Sequence, residues 1–100
     1  MILENGYETK TTFWNDFTIA DYYGEEAVEN TFERAFEEWK NNYEYLTELV
    51  IVLNLKIWQH WEKQDESLAK LYNDLWQKAD NYACENLKGE ELSYFYRITD

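Results

Sequence analysis

The sequence predicts an all-α fold, a small helical bundle of three main helices plus two short ones. Three observations carry that prediction. There is no proline and there are only three glycines, at positions 6, 24 and 89. Long helices tolerate such a shortage of chain breakers better than the turn-rich folds of β proteins do. Apolar residues recur at three- and four-residue steps from Phe13 almost to the end of the chain, the period of an amphipathic helix. Finally, 45% of the 100 residues are hydrophobic and 19% are aromatic, enough to build the core of one domain.

Residues 1–11 show no clear period and are expected as a loose N-terminal tail, leaving 12–100 as a single helical domain. Phe13, Phe17 and Ala20 then share one stripe, and Tyr22-Tyr23-Gly24 closes a short helix at a glycine stop. The second helix is marked by Ala27, Val28, Thr31, Phe32, Ala35, Phe36 and Trp39, and Asn41-Asn42 breaks it. The third, roughly 43–63, has one stripe of Leu46, Leu49, Val50, Leu53, Ile57 and Trp61. A second stripe of Ile51, Leu55 and Trp58 lies nearly opposite, and a helix apolar on two sides belongs at the centre of a bundle. The fourth, about 66–88, carries Leu68, Leu71, Tyr72, Leu75, Trp76, Ala79, Tyr82 and Ala83, with Lys88-Gly89 as its expected end. It should run antiparallel to the third through a tight Gln64-Asp65 connection. Glu90-Glu91 opens a last short helix bearing Leu92, Phe95 and Tyr96.

Charge narrows the function classes. With 21 acids against 9 bases the net charge is −12 and the pI near 4.3, which argues against direct binding to nucleic acid or to an anionic membrane. The longest apolar run, Leu49 to Leu53, is far short of the ~20 residues that span a bilayer. Residues 1–10 carry acids and Gly6 where a signal peptide carries bases and an apolar stretch. The single cysteine, Cys84, allows no internal disulfide and fits a reducing compartment, so a cytoplasmic location is expected.

The acidity is concentrated. Residues 21–48 hold nine acids against Arg34 and Lys40, a net −7 that is more than half of the total excess. In the fourth helix Glu66, Lys70, Asp74 and Lys78 alternate in sign at i,i+4, an arrangement that supports an exposed helix. In the second helix the rule is reversed: Glu25, Glu29, Glu33 and Glu37 form an i,i+4 ladder of one sign. Arg34 can answer Glu38 and Lys40 can answer Glu37, so the like-charge penalty is roughly 1 kcal/mol on the pairwise scale. Such a ladder is either a solubilising face or a row that docks a basic surface. Carboxylates ~6 Å apart along a helix match a nucleic-acid strand in sign and approximate spacing, so the row suits the basic channel of a nucleic-acid-binding protein.

Motifs for catalysis are missing. His60, the only histidine, falls beside Leu53 and Ile57, as a hydrogen-bonded core or boundary residue would. Ile57 and Gln64 occupy the positions where a helical metal pair would need a carboxylate. Ser67 and Ser93 lack a nucleophile-elbow context, Cys84 lies off the apolar stripe as an inert thiol, and the glycines are too scattered to cradle phosphate. No catalytic, metal or cofactor residue is assigned, and a non-enzyme is expected. Thr18 to Val28 resembles the first helix and glycine turn of a helix-turn-helix. The helix that would enter the DNA groove is the glutamate-rich one, however, which phosphates repel. Trp58, with Ile51 and Leu55, is a candidate partner surface, as are Tyr22, Tyr23, Tyr43, Tyr45, Tyr94 and Tyr96.

The segments TTFWNDFTIADYYG, KNNYEYLTELVIVLNLKIWQHWEK and ENLKGEELSYFYRITD resemble small uncharacterised proteins carried on conjugative and other mobile elements of gut Firmicutes. The resemblance implies a cytoplasmic accessory role in a Gram-positive host, including action against host defence systems, and assigns no functional residue. The expectation is therefore a non-enzymatic acidic binding protein whose row Glu25, Glu29, Glu33 and Glu37 meets a basic protein, with nucleic-acid mimicry in an anti-defence or regulatory role. The alternative is a helical accessory module that self-associates, as a homodimer, through Trp58.

Overall fold

The computed structural model describes residues 1–99. Five helices follow in order: α1 Phe13–Tyr23, α2 Glu25–Trp39, α3 Tyr43–Glu62, α4 Glu66–Asn86 and α5 Glu90–Thr99. The all-helical expectation holds, as does the division into three long helices and two short ones. The bundle measures 38 × 26 × 21 Å, and none of its helices is long and apolar enough to cross a membrane.

The central place of α3 follows from its two apolar stripes. Leu46, Leu49, Val50, Ile51, Val52, Leu53 and Ile57 are all buried, and α1, α2, α4 and α5 each pack on this helix. Asn42 starts it by accepting the Tyr45 N–H at 3.1 Å, satisfying one of the backbone donors that a helix start leaves open. Its partner α4 lies closest, through the fully buried Ala69, Ala79 and Ala83, whose small side chains let two backbones approach. The third helix ends in a left-handed residue, Gln64 at φ +60°, with Asp65 N–H reaching His60 O at 2.9 Å and Gln64 N–H reaching Trp61 O at 3.0 Å. That pair of bonds is the Schellman closure. Asp65 then caps α4 by accepting the Leu68 N–H at 3.2 Å.

Three local expectations are revised. Trp61, assigned to the first stripe of α3, is exposed at the end of its helix. The fourth helix stops at Asn86, short of Lys88-Gly89, because Leu87 turns its side chain into the core and its backbone into an extended conformation. Gly89, at φ +57°, instead serves the turn into α5. Residues 1–11, expected as a loose tail, are fastened to the bundle. Leu3 joins the core, Ile2 and Glu8 form an antiparallel bridge, and Thr9 N–H donates to Met1 O at 2.8 Å. The fastening point is Glu48, fully buried on α3. Its carboxylate accepts from Lys10 N–H at 2.6 Å, Thr11 N–H at 3.0 Å, Tyr7 OH at 3.2 Å and the Thr11 hydroxyl. Hydrogen bonds of this number offset the cost of burying a carboxylate without a cation. The Tyr7 hydroxyl is pushed up by burial first and by the Glu48 charge second.

Candidate functional site

The acidic row is set by the turn that precedes it. Gly24 sits at φ +105°, ψ −169°, a conformation reserved for glycine. Its N–H closes α1 on Ala20 O, and its carbonyl accepts Val28 N–H to open α2. With Val28, Phe32, Ala35 and Phe36 drawn inward, the helical period sends Glu25, Glu29, Glu33 and Glu37 to solvent, and all four are exposed. Each step of four residues rises ~6 Å and advances ~40°, so the row winds slowly along one flank. Among the described residues only Glu37 of the row is answered, by Lys40 Nζ at 3.2 Å. Among the described residues Arg34 pairs with no carboxylate, so the expected contact with Glu38 does not form. The nearest cation of α4, Lys78, lies over the Phe32 and Phe36 rings at 5.7 and 5.8 Å instead of on the row. Glu25 and Glu26 gain from the positive end of the helix, whereas Glu29 and Glu33 have no such support.

The second stripe of α3 is divided. Ile51 is 4% exposed and belongs to the core, Leu55 is half-buried, and Trp58 is 61% exposed. Trp58 is on a different helix from the row, and no hydrogen bond, ion pair or ring contact joins the two. The candidate tyrosines divide as well. Tyr43 packs edge-on against Tyr94 at 5.3 Å and Tyr45 against Trp39 at 4.7 Å, while Tyr22 and Tyr23 stand 89% and 80% exposed beside the Gly24 turn. Cys84 is exposed.

A buried polar cluster escapes sequence reasoning. Asp21, in the last turn of α1, accepts from Lys56 Nζ at 3.0 Å, from His60 Nε2 at 3.0 Å and from the Tyr72 hydroxyl. Lys56, fully buried, spends its remaining protons on Thr18 Oγ1 at 2.9 Å and Gln59 Oε1 at 3.0 Å, and lies 4.5 Å from the Trp14 ring centre. Burial pushes the Lys56 ammonium below the usual lysine range, and Asp21 opposes that shift in part. The Tyr72 hydroxyl is pushed up, chiefly by burial and then by Asp21. His60 stacks on Tyr72, with ring centres 5.3 Å apart, and its Nδ1 is buried without a partner. The cluster edges an open cleft of about 410 Å³ rimmed by Tyr22, Lys63 and Asp65. Every Lys56 proton and both Asp21 oxygens are engaged, so the arrangement ties α1 to α3 and α4. His60 thus takes the hydrogen-bonded core position that its spacing predicts. Its acidic partner is 39 residues away in the chain, where no local pattern reveals it. Comparison with protein-family models, curated proteins and solved structures gives no match.

Proposed function

We propose that this protein is a non-enzymatic, cytoplasmic acidic binding protein that presents the carboxylates of α2 to a basic protein surface. The observation that carries the reading is the exposure of Glu25, Glu29, Glu33 and Glu37 with a single lysine answering them. A like-charge row held against its own repulsion gains a rationale when a cationic partner covers it. Tyr22 and Tyr23, exposed at the end of α1 just before that helix begins, are of the residue type that anchors protein interfaces. The partner class is a nucleic-acid-handling protein, whose channel is built for a row of this sign and spacing. An anti-defence or regulatory role follows from the mobile-element resemblance. Trp58, exposed although it continues an otherwise covered stripe, favours self-association as the second reading.

The test is replacement of all four glutamates by glutamine, which changes helix propensity little and removes the repulsion, so stability should hold or rise. Binding to a partner captured from the native host should fall, and wild-type binding should weaken steeply with salt. A quadruple variant that binds as tightly as wild type would reduce the row to a solubilising face.

A further inference from the structure

The α5 helix leans mainly on α3 and only lightly on α4, and the space left among the three is a cavity of about 210 Å³. That is below the ~300–1,000 Å³ of pockets that take drug-sized ligands, so it suits a group the size of one side chain. Asp80 of α4 lines it, half-buried, with no hydrogen bond or ion pair among the described residues. Trp76, Phe95 and Tyr96 are its aromatic lining, Ile51 adds an aliphatic group and Asn54 an amide, and among the described residues no cationic side chain lines the space. Desolvation alone pushes the Asp80 carboxyl above the usual carboxylate range, as expected for a partly buried acid without a counter-charge.

The geometry points to this cavity as a binding site for an alkylammonium group, held by the Asp80 carboxylate among the aromatic side chains of Trp76, Phe95 and Tyr96. An ammonium gains from a carboxylate and from aromatic rings together. An anion is repelled by Asp80, and a neutral alcohol can donate one hydrogen bond to the carboxylate but brings no charge to it. The group can arrive on a free alkylamine or on the lysine of a partner protein. The site is separate from the α2 row and does not rest on the function proposed for it.

The test is NMR titration of the full chain at constant ionic strength with 1,4-diaminobutane, with the peptide acetyl-Ala-Lys-Ala-amide and with n-butanol, followed at Asp80 and the Trp76 indole N–H. Both amines should shift these signals and n-butanol should not. The Asp80→Asn variant should weaken amine binding about tenfold or more, the loss of one charge-assisted bond. Binding should also fall with pH at a point above the ordinary aspartate value of about 3.9, as Asp80 takes up a proton. Asp80→Ser provides a second variant should Asp80→Asn fold poorly. Tighter binding of the diamine identifies a free amine as the ligand, and equal or tighter binding of the peptide identifies a partner's lysine. The glutamine-substituted α2 variant should bind amines as wild type does, so this site and the row fail independently. Shifts that n-butanol reproduces, that follow salt alone, or that vanish with the α2 substitutions but survive Asp80→Asn would overturn the assignment.

Discussion

Asp21 ties α1 to both α3 and α4, because one carboxylate answers a fully buried lysine, a buried histidine and a buried tyrosine. A buried pair is weak evidence of net stabilisation, since desolvating two charges offsets much of their attraction, but removing one partner strands the other. Asp21→Ala should therefore cost about 3–5 kcal/mol, a large share of the ~5–15 kcal/mol that holds a domain folded. Lys56→Met added to it should restore part of the loss, because the stranded ammonium is then gone. The pH dependence has a definite sign. Burial holds the folded pKa of Lys56 below its unfolded value, and losing Asp21 removes the influence that raises it. The unfolded chain then binds more protons between the two pKa values, so the single variant should regain stability as pH rises toward the unfolded lysine value, ~10.4. Urea melts of wild type, both single variants and the double variant, at neutral and alkaline pH, check this. A loss under about 1 kcal/mol would mean that water already reaches the cluster.

At the level of elements, the helix ends show which signals a sequence carries openly. Gly24 and Asn41-Asn42 mark breaks because their chemistry is local: one supplies a backbone conformation closed to other residues, and Asn42 supplies a capping oxygen. The end of α4 was less legible, since burial of Leu87 depends on the rest of the fold and outweighs the local promise of Lys88-Gly89. Glu48 and Lys56 were illegible for the same reason, as charged residues on the most apolar helix whose partners, Gln59 apart, lie 35 to 41 positions away. The row on α2 could be read in full, because four exposed glutamates need only the helical period to line up. The α3–α4 connection contains a local rule that is broken: Gln64 adopts the left-handed conformation that glycine usually supplies at a Schellman closure. An L side chain pays ~1–2 kcal/mol there, and glycine returns part of that in chain entropy. Gln64→Gly should thus raise stability by about 0.5–1 kcal/mol, and a thermal melt that shifts downward would contradict the closure.

For the whole molecule, the decisive quantity is how a net charge of −12 is distributed. Two copies repel each other, so any self-association must turn the acidic side of α2 away and use a surface close to neutral. Residues 49–80, with five acids and four bases, are the stretch of the chain nearest to neutral, and Trp58 and Trp61 are exposed within it at i,i+3 on α3. Self-association through these indoles and docking of a basic partner on α2 therefore answer salt in opposite directions. Added salt screens the repulsion between copies, while leaving apolar contact in place, so a Trp58-mediated dimer should strengthen with ionic strength. An attraction between the α2 carboxylates and a cationic surface should weaken under the same change. Sedimentation equilibrium across a salt series, for wild type and Trp58→Glu, separates the two. A dimer promoted by salt and abolished by Trp58→Glu would establish the self-associating reading. A wild type that stays monomeric at high concentration and high salt would leave Trp58 and Trp61 as exposed aromatics with no part in self-association, and α2 as the surface with a reason to be occupied.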